Sequence, residues 1–212
     1  MDKVRFRYSK TGRAKFISHL DLMSAMQRAF IRAGIKLKYS EGFNPHPYMS
    51  VALPLSVGSE SICELIDVGV ADDVLPNVKK ITFPDGLALH EIYRSVRKFG
   101  EISWIEINGK MHYDSPVSFE LKEKVTQRFS EDRLIVAKRT KRGTKELDIA
   151  PFIKDAKFCI DDDALSFSMK ISATDPAINS ADLANIFISE LKPVFLSMKR
   201  INLYDSGMNM FS

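Results

Sequence analysis

The sequence predicts an α+β protein made of two tandem ferredoxin-like modules, each with the element order β-α-β-β-α-β and an antiparallel sheet. Three observations lead to this prediction. Short segments alternate apolar and polar residues, longer segments repeat apolar residues every three or four positions, and both kinds recur in a similar order in each half. We place the boundary after residue 98, so that the modules span 1–98 and 99–212.

The first predicted element is a strand with a basic outer face. Residues 3–8 alternate, with Val4, Phe6 and Tyr8 on one side and three basic side chains on the other. Because one side of the strand must face the core, we expect Phe6 and Tyr8 to be buried. The other elements of this module are predicted strands over 35–39, 49–55, 61–70 and 87–96, and a short helix over 72–80.

The long helix of the first module is predicted to begin at Ser18 and to end before Gly34. In the sequence SHLD, the Ser18 hydroxyl can accept a hydrogen bond from the amide of Asp21, and the Asp21 carboxylate can reach back to the amide of Ser18. Apolar residues then follow at spacings of three and four. Gly34 is a natural C-terminal cap.

The second half repeats this order less clearly. Residues 101–113 are predicted as one long strand or a pair of strands. The elements predicted after them are a helix over 116–129, strands over 132–140, 145–149 and 164–173, a helix over 182–191 and a strand over 198–204.

The charge of the chain is segregated. Residues 3–38 hold ten Lys or Arg and one acid, giving +9, and residues 131–145 hold six basic and two acidic side chains, giving +4. Residues 51–130 and 146–212 are net −3 and −4, within a total of +4. Two basic blocks in an otherwise acidic chain favour a surface that faces a polyanion; the alternative is ordinary solvated faces.

The composition argues against several classes of protein. Cys63 and Cys159 are far apart and have no CxxC partner or histidine cluster, so we expect reduced, buried thiols and neither a disulfide nor a metal site. Two cysteines are also too few to hold an iron–sulfur cluster. The chain has no apolar run of the roughly 20 residues that cross a bilayer and no apolar signal-peptide core. A cytoplasmic location is therefore expected.

The sequence YSEGFNPHP, residues 39–47, is the predicted recognition loop. Gly42 permits positive φ, and the two prolines force Asn44 and His46 into extended conformations. Phe43, Asn44 and His46 should therefore project at fixed angles, and a rigid loop loses less entropy on binding. The alternative is a purely structural bend.

Basic side chains of the first strand, the turn after it and the first helix are the predicted phosphate contacts, with the turn 138–145 as a second basic arm. The candidates are Arg5, Arg7, Arg13, Lys15, Arg28, Arg32, Lys138, Arg139, Lys141 and Arg142. Ser18 and His19 lie at a helix N-terminus, whose free amides attract phosphate. For the turn 138–145, the alternative is a hairpin kept soluble by its charge.

Two stretches resemble the radical SAM-linked protein family of bacteria. They are VRFRYSKTGRAKFISHLDLMSAMQRAFIRAGIKLKYSEGFNPHPYMSVALPLSVGSES, residues 4–61, and KRTKRGTKELDIAPFI, residues 138–153. In that family the domain is fused to a radical SAM protein or encoded beside one. The resemblance implies a partner that carries S-adenosylmethionine and the iron–sulfur cluster, with no cofactor in this chain. It implies no catalytic residues.

These observations predict a non-catalytic accessory protein that binds substrate, with RNA as the expected substrate, and that acts with a radical SAM enzyme. The sequence has no Gly-rich phosphate loop, GxSxG, HExxH or Cys–His pairing that would indicate catalysis by this chain alone. One alternative is an adaptor that binds only the radical SAM partner, through residues 39–47. Another is a metal-independent endoribonuclease with His19 or His46 as general base.

Overall fold

The computed structural model describes residues 3–140 and 143–212; at 137–140, 144 and 145 it describes the backbone alone. The described residues form a mixed α+β protein with antiparallel strand pairs and few helices. The chain divides into two compact units, Met1–Phe99 and Gly100–Ser212. Among the described residues, no helix is both long enough and apolar enough to cross a membrane.

The described residues of the first unit form four strands, in the order β4-β1-β3-β2. They are β1 (Lys3–Lys10), β2 (Met49–Val51), β3 (Glu60–Gly69) and β4 (Leu87–Arg94). Each neighbouring pair is antiparallel. Strands β1 and β2 both pair with Ile66 of β3, through Phe6 and Val51, so they lie on opposite sides of it.

Helix α1 (His19–Arg32) supplies the core of this unit. Its apolar side, which includes Met26 and Phe30, packs on Phe6 and Tyr8 of β1, and all four side chains are buried. The rings of Phe6 and Phe30 lie 4.7 Å apart. Gly34 follows the helix with φ +79°, as its predicted capping role requires. The burial of Phe6 and Tyr8 confirms the prediction from the alternation of the strand.

Two predicted elements of the first unit are not formed as expected. Residues 35–39 make only isolated bridges, Leu37 to Val70 and Tyr39 to Pro47, instead of a strand. The predicted helix over 72–80 is a short 3-10 helix, Leu75–Lys80. Pro76 has no amide hydrogen to donate, and the segment has too few residues to repay the cost of nucleating an α-helix.

The second unit has a four-stranded sheet in the order β10-β5-β9-β8, with every pair antiparallel, and a separate hairpin. The sheet strands are β5 (Trp104–His112), β8 (Ile153–Asp161), β9 (Ala164–Ser172) and β10 (Phe195–Tyr204). The hairpin is β6 (Ile135–Thr140) and β7 (Gly143–Asp148). The helices are α2 (Phe119–Arg128) and α3 (Ser180–Ile186), the latter followed by a π-turn over Phe187–Leu191.

Strand β8 has no counterpart in the predicted elements. Its alternation is interrupted by an irregularity between Lys154 and Lys157, where Asp155 has φ +53°. A bulge of this kind shifts the two-residue period and hides the strand from a pattern search. The predicted strands 132–140 and 145–149 pair with each other as the hairpin, and β8 takes the edge position beside β9.

Four phenylalanines hold the helices of the second unit against one face of its sheet. Phe129 follows α2, Phe187 follows α3, and the sheet contributes Phe158 and Phe167. The Phe129–Phe158 and Phe167–Phe187 ring centroids lie 5.1 Å and 4.7 Å apart. Because side chains alternate along a strand, the neighbours of Phe167 in β9 point to the opposite face of the sheet.

Candidate nucleic-acid interface

Arg5 does not lie on the surface, which corrects its predicted role as a phosphate contact. Its side chain is 0% exposed and forms a two-pronged ion pair with Asp67, at 2.7 Å and 3.0 Å. It also donates to the Ser95 hydroxyl at 2.8 Å and to the carbonyl of Arg97 at 2.7 Å. The ring of Phe99 lies 4.4 Å from its Cζ atom. Arg5 is therefore a structural group.

Two further candidates already have acidic partners. The Arg7 guanidinium lies 3.2 Å from Glu91, and the Lys15 ammonium lies 3.5 Å from Glu60. Both basic side chains are about one-quarter exposed, at 22% and 28%. Neither side chain offers an unpaired charge, because each would have to leave its carboxylate partner in order to bind a phosphate.

The remaining described candidates are exposed but do not form one surface with β1. Arg13, Arg28 and Arg32 lie on the surface, and Arg32 donates to the carbonyl of Thr82 at 3.1 Å. Helix α1 packs on the side of β1 that carries Phe6. Arg5 and Arg7 project from the other side, because residues alternate along the strand. The predicted single anion-binding surface is therefore divided by the sheet.

Residues 39–47 form a closed loop with a well-defined base. Tyr39 and Pro47 form a bridge, the Ser40 amide donates to the His46 carbonyl at 2.8 Å, and the His46 amide donates to the Ser40 hydroxyl at 2.9 Å. Gly42 has φ +121°, a conformation that only glycine adopts readily.

The tip of this loop is fully accessible. Phe43 is 109% exposed, and Asn44 and His46 are also exposed. The structure thus places the three predicted recognition residues together on one projecting tip. Tyr39 receives a weak hydrogen bond from Gln27 at 3.5 Å, so the loop base lies on the Gln27 side of α1. Gln27 and Arg32 point about 140° apart around the helix axis.

The N-terminus of α1 already has a negative partner. The Ser18 hydroxyl accepts from the Asp21 amide at 3.1 Å, as predicted. The Asp21 carboxylate, however, accepts from the Ser18 hydroxyl at 2.7 Å instead of from the Ser18 amide, which corrects the second half of the predicted capping box. His19 is exposed. Within the described parts of the chain, the imidazoles of His19 and His46 have no carboxylate partner that would indicate a general base.

The predicted basic arm falls largely outside what the structure describes. Lys141 and Arg142 lie in the gap, and only the backbones of Lys138 and Arg139 are described, in β6. Their role as phosphate contacts stays a prediction. Of the two thiols, Cys63 is buried as expected, whereas Cys159 is exposed, which corrects that part of the prediction.

The structure brings together a set of residues that the sequence analysis did not single out. They lie on the face of the second sheet opposite Phe158 and Phe167, which we call the polar face. The pairing of neighbouring strands places these residues opposite one another, in rows across β10, β5, β9 and β8. The rows are Tyr204–Trp104–Ser172, Asn202–Glu106–Lys170–Lys154 and Lys199–Asn108–Ser168–Lys157.

Two aromatic rings on the polar face lie under lysine ammonium groups. Trp104 and Tyr204 are directly paired across β5 and β10, and both are half-buried. The Lys154 ammonium lies 4.1 Å from the centroid of the Trp104 ring, and the Lys170 ammonium lies 4.9 Å from that of Tyr204. A cation over an aromatic face is attracted by the electrons of the ring.

Glu106 organises the centre of the polar face. Its Oε2 atom accepts from the Tyr204 hydroxyl at 2.6 Å and from the Asn202 amide at 2.8 Å. The bond to Glu106 raises the pKa of Tyr204, so the hydroxyl keeps its proton at neutral pH. Lys170 pairs with Asp155 at 2.7 Å, and that hydrogen bond raises the pKa of Lys170. The face therefore presents fixed charges of both signs beside two rings.

One signal in the sequence could have indicated the polar face. Trp104, Glu106 and Asn108 alternate with Ile105 and Ile107, so a polar side could be read from β5 alone. The side chains in the rows across the polar face come from strands far apart in the chain. The bulge in β8 also conceals the alternation of that strand in the sequence. The described residues contain no group of three His, Cys, Asp or Glu that could hold a metal ion.

Fold and site together define a mixed α+β protein with antiparallel strand pairing, few helices and a polar, aromatic sheet face. The chain belongs to the family described as "Uncharacterized protein conserved in bacteria (DUF2344)", whose model matches residues 3–180. No curated protein matches it. A solved structure, "Crystal Structure of an Unknown Protein from Galdieria sulphuraria", is 10% identical over 96% of this chain and 98% of that one, with a TM-score of 0.27.

Proposed function

We propose that this chain is a non-catalytic accessory protein that holds single-stranded RNA on the polar face of its second unit and acts with a radical SAM enzyme. One observation carries the RNA part of the proposal: Trp104 and Tyr204 are paired on neighbouring strands, and each lies beneath a lysine. RNA-recognition sheets use aromatic side chains in this way, by stacking unpaired bases on an open four-stranded face.

Contact with a phosphate can draw a lysine away from the ring that it covers. When a phosphate attracts the Lys154 ammonium, the Trp104 ring loses its cation and becomes free to stack on a base. Base–aromatic stacking contributes about 1–3 kcal/mol per base, and the lysine contributes a salt-dependent contact with the backbone. Lys157 and Lys199 extend the positive charge along the next row.

The strand order supports the finer interpretation of the fold as two ferredoxin-like modules. With the hairpin β6–β7 set aside, the strands of each unit, numbered in chain order, are arranged 4-1-3-2. In each unit the first strand is followed by an α-helix, and the third by a 3-10 helix or a short α-helix. This is the connectivity expected of a split β-α-β-β-α-β unit.

The radical SAM partner is proposed from the resemblance in residues 4–61 and 138–153. Under this proposal the partner supplies S-adenosylmethionine and the iron–sulfur cluster, and this chain supplies substrate binding. The two cysteines of the chain fit that division, because a cluster needs more thiolates than the chain contains.

A binding titration tests the proposal. Trp104 is the only tryptophan, so stacking should quench the tryptophan fluorescence when a mixed-sequence 12-nucleotide RNA is added at low salt. Tyr204→Ala should weaken binding about 5- to 150-fold, as expected for loss of one stacked base. Tyr48→Ala is the matched control, because Tyr48 is an exposed tyrosine of the first unit, 42% accessible.

Circular dichroism of both variants establishes that they are folded before affinities are compared. Absence of RNA binding at low salt would overturn the proposal. So would binding that leaves Trp104 fluorescence unchanged and is equally strong in Tyr204→Ala and Tyr48→Ala.

A second function, an adaptor that binds only the radical SAM protein, is favoured by the tip at residues 39–47. Phe43 is fully exposed on a loop whose base is fixed by hydrogen bonds, which suits an anchor that inserts into a partner. If this function holds, replacing Phe43 and His46 releases the partner and leaves RNA affinity unchanged.

A further inference from the structure

The polar face carries a small cleft around Glu106 and Lys170. Its volume is about 290 Å³, and it is lined by Glu106, Asp155, Lys157, Ser168, Met169 and Lys170. Glu106 and Lys170 are directly paired across β5 and β9. Their Cβ atoms are therefore about 4.5–5.5 Å apart, which places an anionic acceptor beside a cationic donor.

The Glu106 carboxylate is held with one oxygen available. Both of its hydrogen bonds, from Asn202 and Tyr204, go to Oε2. Within the described residues, no hydrogen bond to Oε1 is found. An ionised carboxylate can only accept hydrogen bonds, so Oε1 selects a ligand that offers donors. Two donors from β10 fix its orientation, and a fixed acceptor discriminates better than a mobile one.

Lys170 supplies the complementary donor. Its ammonium has three hydrogens, of which the ion pair with Asp155 at 2.7 Å engages one. The other two can be donated to an acceptor of the ligand. The pair thus offers Oε1, whose two lone pairs can accept two hydrogen bonds, beside a donor at the neighbouring position on the sheet.

Among the four RNA bases, guanine matches this pair. Its Watson–Crick edge has two adjacent donors, N1–H and the N2 amino group, next to the O6 acceptor. Adenine, cytosine and uracil each have a single donor on this edge, beside an acceptor that Lys170 could meet. Each of them therefore leaves one of the two lone pairs of Oε1 without a hydrogen bond, which guanine does not.

We propose that Glu106 and Lys170 make the polar face selective for guanine, with Glu106 accepting from N1–H and the N2 amino group and Lys170 donating to O6. This inference rests on the proposed RNA-binding function and names the base that it recognises. The base would stack on Trp104 while its edge enters the cleft, because Lys170 stays over the ring of Tyr204. A site that hydrogen-bonds a base edge discriminates against a base that leaves those groups unpaired.

The test compares four 11-nucleotide RNAs on the unaltered 212-residue chain. All are oligouridine, and the central position is G, A, C or U. We expect the G-containing RNA to bind about tenfold or more tightly than the other three. Inosine at the centre lacks the N2 amino group, and we expect it to lose part of that advantage.

Glu106→Gln tests the assigned residue, because an amide adds a donor where the carboxylate only accepts. It should bring the affinities for all four RNAs to within about threefold of one another, chiefly by weakening the binding of the G-containing RNA. Glu120→Gln, at an exposed position of α2, is the matched control and should retain the preference.

The outcomes separate the two proposals. If no RNA binds the unaltered chain at low salt, the proposed function fails. If all four RNAs bind equally, or A or C is preferred, the function stands and guanine selection is overturned. A folded Glu106→Gln protein that keeps its preference for G also overturns it. Because the comparison of four RNAs comes first, misfolding of the variant cannot conceal the result.

Discussion

The guanidinium of Arg5 joins three segments of the first unit. It contacts Asp67 on β3, Ser95 just after β4 and the Arg97 carbonyl, and Ser95 also donates to Asp67 at 3.1 Å. A buried charge is costly unless it is paired and hydrogen-bonded. At the scale of the residue, Arg5 therefore contributes to the unit as part of a network instead of acting alone.

Removing the anion from this network should be costly. Asp67→Ala leaves the Arg5 charge buried without its partner, and we expect the free energy of unfolding to fall by about 3–5 kcal/mol. Urea unfolding followed by circular dichroism measures the loss. Glu91→Ala is the control, since it removes an exposed ion pair with Arg7, and should cost less than about 1 kcal/mol. Equal losses in the two variants would show that the buried pair has no special role.

The first strand shows how far residue-level prediction from the sequence extends. Its alternation correctly assigned Phe6 and Tyr8 to the core. The same alternation assigned Arg5 to the other face, which is correct, but could not show that Asp67, Ser95 and Phe99 cover it there. Alternation defines the two faces of a strand, but the residues that pack against each face come from segments distant in sequence.

At the scale of the element, β5 depends on a glycine where three strands meet. A Cβ atom at Gly109 would overlap the ring of Phe167 on β9 and the carbonyl of Ser197 on β10. The aromatic cluster that holds α2 and α3 includes that same Phe167 ring. The absence of a side chain at Gly109 is thus a packing requirement of the sheet.

Adding one methyl group here should therefore be harmful. Gly109→Ala should lower the free energy of unfolding by about 1–3 kcal/mol, because the Phe167 ring or β10 must move. Gly100→Ala is the matched control: a Cβ atom there meets nothing within 4 Å, and we expect a change of about 0.5 kcal/mol or less. Thermal or urea unfolding compares the two. A Gly109→Ala protein as stable as the control would contradict the close packing.

Elements with an uninterrupted pattern were predicted well, and those with an irregularity were not. Helix α1, with its Ser18 cap and Gly34 terminus, agrees with its prediction, and so do β4 and β9. Strand β8 was missed because the bulge at Asp155 shifts its period. The π-turn that ends the last helix at Leu191 has no sequence signature, since the periodicity continues through it.

At the scale of the whole molecule, two groups of positive charges are candidates to contact the proposed RNA ligand. The first basic block contributes exposed Arg28 and Arg32, on a helix. The polar face contributes Lys154 and Lys157, on an edge strand of an otherwise acidic segment. Net charge along the sequence pointed to the first block. Side chains arranged in rows across neighbouring strands, which no local sequence pattern reveals, favour the polar face.

Salt dependence distinguishes these two surfaces. Each lysine that contacts a phosphate of single-stranded RNA adds about 0.7 to the slope of log affinity against log salt. The double variant Lys154→Ala/Lys157→Ala should therefore reduce that slope by about 1.4, whereas Arg28→Ala/Arg32→Ala should leave it unchanged. Titrations at several salt concentrations give the slopes. A slope that is reduced in Arg28→Ala/Arg32→Ala and unchanged in Lys154→Ala/Lys157→Ala would instead favour an RNA interface on the first unit.

The two thiols of the chain differ in access. Cys63 is 3% exposed, whereas Cys159 is exposed on β8, where it pairs with Ser166 and so shares the polar face with Lys157. A maleimide reagent would therefore modify the unaltered chain at a single position, without engineered cysteines. A spin label or dye attached there would lie on the surface that we propose binds RNA. It would report on the occupancy of that surface from an edge strand that carries none of the proposed base contacts.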